Sequence, residues 1–227
     1  EHWNSEHMNS VRARMLKGEK LDECKVCDDS LLHTTTYRNY FNSLFGRHIE
    51  KAYDQTTEDG KTTLLPASFD YRYSNLCNFK CRMCGSMLSS QWEAEERKYN
   101  IGAQDDNLWM QPEIKEKIQT FTKNVVEKEF SDAVEEKRIE EVYWVGGEPL
   151  MYEQHWKYMK RLVEIGHANN VHARYNSNLS RIVFKNIDLF KDILVNFKSW
   201  QMCASIDGTG AVGEWIRTGL DYKKFID

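Results

Sequence analysis

No run of apolar residues in this chain approaches the ~18 needed to cross a bilayer, and no charged-then-apolar leader opens it. A membrane partner is therefore not expected. Surplus charge is missing as well: 35 acidic residues stand against 31 basic ones, and no basic block breaks the balance. A protein that grips phosphates needs a positive face, so nucleic acid is disfavoured as a partner. Five of the six cysteines gather at metal-ligand spacings instead of spreading as disulfide partners do. That usage points to a reducing compartment, and the cytoplasm is the expected localisation. At 227 residues the chain can build one large domain, or a domain with an appendage, around a proper core. It starts at Glu1 and stops at Asp227 where a new helical pattern begins, so a fragment of something longer is expected.

What is present centres on Cys77-Asn78-Phe79-Lys80-Cys81-Arg82-Met83-Cys84. Three thiols at this spacing converge from a single loop on one small inorganic object. Three is an odd count for disulfides and one ligand short of a closed structural zinc site. A four-iron cluster held by three thiolates keeps one iron without a protein ligand, and open coordination is where chemistry occurs. The plainer alternative is a zinc knuckle completed by a distant cysteine or histidine.

Residues 1–62 read as a helical arm. Trp3, Met8, Val11, Met15 and Leu16 recur at helical spacing up to Gly18, and Tyr37, Tyr40, Phe41, Leu44 and Phe45 mark a second helix from Thr36 to His48. Between them lies Cys24-Lys25-Val26-Cys27, half of a zinc or iron–sulfur site or else two unrelated reduced thiols. His33 and His48 are candidates for the missing ligands. The polar stretch from Asp54 to Thr63, around Glu58-Asp59-Gly60, reads as a turn or linker.

Residues 63–227 alternate between short strands and longer helices. Strands are expected at 68–74, 141–145, 171–176 and 200–206. Helices are expected at 86–98, over a long charged stretch from Pro112 to Lys137, and at 153–168; a helix or turn covers 180–191. This regularity argues for an α/β fold with a parallel sheet, whose active site lies at the carboxyl ends of the strands. Every unusual polar motif falls at such an end. The cysteines follow the first strand, Gly146-Gly147-Glu148-Pro149 the second, Asn176-Ser177-Asn178 the third and Ser205-Ile206-Asp207-Gly208 the fourth. The four motifs should face one cavity.

Taken singly, each has a plain alternative. Gly-Gly pairs mostly make turns, although backbone without side chains also lets a ligand approach closely. Asp207-Gly208 is a common strand-ending turn. Period-two alternation puts Ser205, Asp207 and Cys203 on one face of the fourth strand, and Met202, Ala204 and Ile206 towards outer helices. Arg217 is either a surface arginine or a planar donor for a carboxylate.

Together these motifs resemble the radical S-adenosylmethionine (SAM) superfamily, and the resemblance covers residues 64–227. The arm is similar to the lead segment of the SPASM and twitch-domain peptide maturases, through Arg12-x-x-Met15-Leu16-x-Gly18-Glu19 and then Cys24-x2-Cys27. The resemblance implies a partial parallel (β/α) barrel behind an N-terminal helical arm. It implies an enzyme in which Cys77, Cys81 and Cys84 hold a 4Fe-4S cluster that cleaves SAM reductively to a 5′-deoxyadenosyl radical, which abstracts a hydrogen atom from substrate. Gly146, Gly147, Glu148 and Pro149 would hold the methionine amino group, Ser205 and Asp207 the ribose, and Arg217 the carboxylate, with Asn176, Ser177 and Asn178 beside them. The family residue before the third cysteine is aromatic and helps hold adenine; here it is Met83, soft and apolar enough to substitute. The family barrel continues through a fifth and sixth strand that this sequence does not show. Implied partners are SAM, a one-electron reductant such as flavodoxin or ferredoxin, and a peptide or protein substrate. Other readings are a small metabolite or nucleotide-linked sugar as substrate, and a non-catalytic iron–sulfur or zinc module.

Overall fold

The alternation in residues 63–227 becomes a parallel sheet whose carboxyl ends carry the polar motifs. The structure, a computed structural model, describes residues 2–30, 36–101 and 111–226. Its contacts divide the chain into two compact units, Glu1–Leu65 and Pro66–Asp227.

The first unit is helical: α1 (Glu6–Leu16), α2 (Lys25–Ser30), α3 (Tyr37–Phe45) and α4 (Ile49–Asp54). Ser5 caps α1 by accepting the Met8 N–H, and Gly18, at φ +72°, turns the chain out of it. The stretch read as a turn or linker is a turn, and it is packed. Its ends pair across Thr56 and Thr62, the Arg12 side chain donates to Gly60 O at 2.7 Å, and Asn4 brackets Thr62 through both its N–H and its C=O. Gly60 is required there, because a Cβ would stand 1.9 Å from Asn9 O. The glycine is there because α1 lies against it.

The second unit is built on β1 (Ser68–Tyr71), β2 (Lys80–Cys81), α5 (Ser90–Tyr99), α6 (Pro112–Phe121), α7 (Glu127–Glu135), β3 (Glu141–Trp144), α8 (Glu153–Glu164), β4 (His172–Ser177), β5 (Val183–Phe184), β6 (Ile187–Asp188), β7 (Ser199–Ala204), α9 (Gly210–Ile216), β8 (Arg217–Thr218) and α10 (Tyr222–Ile226). Strands β1, β3, β4 and β7 form one parallel four-stranded sheet in that order. This is the expected α/β architecture built on a parallel sheet.

Period-two alternation gives the sheet two different faces. Phe69, Tyr71, Val142, Trp144, Ala173 and Tyr175 join Phe130 of α7 and Met159 and Leu162 of α8 in one buried core. Burying each large apolar side chain contributes about 1.5–3 kcal/mol. Asp70, Tyr143, Arg174, Asn176, Gln201 and Cys203 occupy the other face and are exposed or half-buried. Met202 packs on the core as expected, whereas Ala204 and Ile206 are exposed on the edge strand and its extension.

Two expected elements take other forms. The long charged helix is three pieces: α6, a π-helical segment Thr122–Val126, and α7, ending before Lys137 at φ +56°. Residues 180–191 hold the β5–β6 hairpin followed by a π-helical turn Leu189–Ile193. Lys185 and Asn186 make the hairpin's two-residue turn with φ +48° and +64°, the primed turn geometry that hairpins favour. Lysine is a weak signal for that conformation, which is why periodicity alone missed it.

Candidate functional site

The cysteine loop is held by the first turn of α5. Ser89 caps that helix by accepting the Trp92 N–H, and its hydroxyl donates to Phe79 O at 2.7 Å. Ser90 brackets Cys77, accepting its N–H and donating to its C=O, while Trp92 Nε1 donates to Cys81 O at 2.7 Å. Asn75 donates to Ser86 O and to Glu93, tying the loop's entry to its exit. On the other side, the β2–β8 pairing and a bond from Arg82 N to Ile216 O close residues 216–218 against the loop. Cys77, Phe79, Cys81 and Leu220 form a small buried cluster there, with Cys84 packed on it.

Burial sets the chemistry of these thiols. The Cys77 thiol is pushed up to about 11 by loss of solvent, only partly opposed by the Phe79 N–H at its sulfur. Cys81 is raised by the same cause, with Arg217 pulling it back down. A thiol in such a place ionises against a bound cation, and a coordinating thiol is deprotonated outright.

The double glycine packs under this loop. A Cβ on Gly147 would sit 2.3 Å from Leu76 O and 2.7 Å from Asn75 C, and Gly146 has φ +122°. The closest approach at Gly147 is thus by the protein's own backbone one residue before Cys77. Tyr152 locks the arrangement: its hydroxyl donates to Ser74 O at 2.6 Å and accepts the Gly147 N–H at 2.8 Å. Burial pushes that phenol up to about 12, so it keeps its proton.

Glu148 is buried and joins the ends of β3 and β4. Its carboxylate accepts from Ser177 Oγ at 2.7 Å, Asn178 N at 2.7 Å and Leu150 N at 3.1 Å. Burial raises its pKa and these three donors oppose the rise. Asn178 donates onward to Asn78 of the cysteine loop at 3.1 Å, and Asn78 to Ser180 at 2.8 Å. Ser205 N donates to Ser177 O, carrying the sheet ladder one residue past β7.

The result is a cavity of about 180 Å³. Its wall includes Cys77, Cys81, Cys84 and Met83 from the first loop, Gly146, Gly147 and Glu148 from the second, Asn176, Ser177 and Asn178 from the third, and Ser205 and Arg217. Motifs read from separate stretches of sequence therefore meet. Two residues do not line it. Pro149 is buried as the first residue of a 3-10 turn, and Asp207 is engaged by Arg217 in a 2.5 Å ion pair. Phe79, Leu88 and Ser89 complete the wall. Leu88 and Ser89 lay outside the motifs read from the sequence, and a serine just ahead of a helix is the signal that could have marked Ser89; Tyr152, behind the wall, had none.

Cys24 and Cys27 belong to the first unit, both half-buried, Cys24 ending a 3-10 turn and Cys27 within α2. His33 falls outside the described residues. No group of three or more His, Cys, Asp or Glu among the described residues is placed to hold a single metal ion.

A parallel sheet whose carboxyl ends gather three thiols, a double glycine and a polar wall defines a protein built to hold a cofactor-sized group. Compared with known protein families, residues 71–198 match the description Radical SAM superfamily. That span exceeds half of the chain, and the protein belongs to the radical SAM superfamily. Comparison with curated proteins and with solved structures gave no match. Membership makes the chain an enzyme and implies a 4Fe-4S cluster, SAM and a source of electrons; the non-catalytic reading falls. The residues present fit those groups. Three thiols share one cavity wall, and the wall beside them offers backbone, amide, hydroxyl and guanidinium groups. Among the described residues no helix is long and apolar enough to cross a membrane.

Proposed function

We propose that Cys77, Cys81 and Cys84 hold the 4Fe-4S cluster and that the cavity beside them receives SAM. One observation carries this reading: thiols and polar groups from four separate strand ends line a single cavity. When bound, the cluster and SAM together supply a 5′-deoxyadenosyl radical that takes a hydrogen atom from substrate. The protein's part is placement and shielding. Main-chain groups of Gly146 and Gly147 face the space where an amino group would be held. The Glu148 carboxylate is committed to Ser177, Asn178 and Leu150, so its task is to fix the second and third loops relative to each other. Met83 and Leu88 supply an apolar side to the wall suited to a base. Asn176 and Ser205 offer polar groups to a ribose.

We assign a peptide or protein side chain as the substrate, with a SPASM or twitch-type relationship and a cytoplasmic setting. Support comes from the lead segment, although Arg12 in it has a structural task, donating to Gly60 O, Trp3 O, Asn4 and Asn9. The polar open face of the sheet below the cavity suits a substrate with hydrogen-bonding groups. A one-electron donor such as flavodoxin or ferredoxin would reduce the cluster. Cys24 and Cys27 are the donors we assign to a second zinc or iron–sulfur site, with further ligands still to be supplied.

Anaerobic reconstitution with iron and sulfide, followed by electron paramagnetic resonance (EPR) with and without SAM, tests the core of this reading. A reduced 4Fe-4S signal that changes on adding SAM, and is lost in the Cys77, Cys81, Cys84 triple alanine variant, is the expected result. A signal indifferent to SAM, or zinc in place of iron, would overturn it.

A further inference from the structure

Arg217 stands opposite Cys81 in the antiparallel β2–β8 pairing. Its Nη1 donates to the Cys81 sulfur at 3.6 Å, and its Nε pairs with Asp207 Oδ2 at 2.5 Å. The guanidinium is thus placed by backbone pairing at its Cα and by the charge of one Asp207 oxygen beside Nε, a contact without hydrogen-bond geometry. Its side chain is only 14% exposed, so water screens it weakly. Cys77 differs: its sulfur accepts the main-chain N–H of Phe79, a neutral donor.

We propose that Arg217, oriented by Asp207, sets the reduction potential of the cluster through its charged hydrogen bond to the Cys81 sulfur. This rests on the reading that Cys77, Cys81 and Cys84 hold the cluster, and it gives a residue outside the ligand set a separate task. Reduction adds one electron and makes the cluster more negative. A cation donating to a ligating sulfur stabilises that state, and hydrogen bonds to sulfur together with net charge are what tune such potentials. Asp207 acts in the opposite sense, because its negative charge offsets part of the field it helps to aim. Removing one or the other should move the potential in opposite directions. A purely structural role for the pair would not.

The test is an EPR-monitored redox titration of the reconstituted 227-residue chain without SAM. Arg217→Gln should lower the midpoint potential by about a tenfold change in the one-electron equilibrium, ~59 mV. Asp207→Asn should raise it, and Arg217→Lys, which keeps the charge but not the planar fork, should fall between wild type and Arg217→Gln. Iron and sulfide are measured on each variant. If Arg217→Gln fails to load, the other two carry the comparison. Unchanged potentials, or shifts of the same sign in Arg217→Gln and Asp207→Asn, overturn the proposal. So does an Arg217→Gln protein of unchanged potential whose spectrum no longer responds to SAM, which would make Arg217 a SAM-carboxylate residue. Failure of the underlying reading is recognised separately, since wild-type protein would then assemble no 4Fe-4S cluster at all.

Discussion

Glu148 and Asn178 are joined by a 2.7 Å hydrogen bond from the Asn178 main-chain N–H to a buried carboxylate thirty residues earlier. With the Ser177 hydroxyl on its other oxygen, Glu148 holds the loop after β4 against the loop after β3. Glu148→Gln keeps the shape but offers one acceptor oxygen and places an amide N–H₂ against donors. A loss of about 1–3 kcal/mol follows from leaving a buried donor unpaired. Chemical denaturation should read that loss, and SAM titration should show weaker binding.

Gly147 is constrained by the cysteine loop, so Gly147→Ala should cost cluster content as well as stability. The added Cβ meets Leu76 O at 2.3 Å, and the loop must shift next to Cys77. Overpacking of this kind costs about 1–3 kcal/mol. Iron and sulfide per chain should fall after reconstitution. Gly85→Ala is the matched control, because a Cβ there meets nothing within 4 Å; it should load like wild type.

Ser89 performs two tasks with one hydroxyl, capping α5 and donating to Phe79 O. Ser89→Ala should cost about 0.5–2 kcal/mol for the lost cap. A lower thermal midpoint together with faster loss of iron to a chelator would report both tasks. A stability loss without faster iron release would confine Ser89 to capping.

His155 gives the fold an acid-sensitive element. It is fully buried against Trp144 and Trp156, with Nε2 3.0 Å from the Tyr175 hydroxyl, and burial pushes its pKa down to about 3. Unfolded, it titrates near its ordinary 6.5. Between these values the unfolded chain binds a proton that the folded chain does not, so this stabilisation is present above the unfolded pKa and declines as pH falls. Going from pH 7 to pH 5, wild type should lose ~2 kcal/mol more unfolding free energy than His155→Gln. Equal losses in urea titrations at the two pH values would discount His155 as the source.

Much of the fold was legible along the chain. Short strand-like runs placed the four sheet strands to within a few residues, and the helix expected at 153–168 is α8. The site's loops were legible because the polar motifs follow strands. The β5–β6 hairpin was not, since Lys185 gives no sign that it adopts a positive φ. At Gly60 the turn was legible but its docking on α1 was not, because polar residues read the same whether a turn stands free or packs on a helix.

The sequence by itself determined the spacing of Cys77, Cys81 and Cys84, the strand–helix order and the placing of each motif at a strand end. Those are properties of neighbouring residues and of short periods. Tertiary structure alone decided that Leu76 crosses Gly147, that Tyr152 bridges Ser74 to Gly147, and that Arg217, 136 positions after Cys81, reaches its sulfur. Contacts at that separation depend on the register of the sheet and the closing of one loop on another, and local pattern carries no information about either.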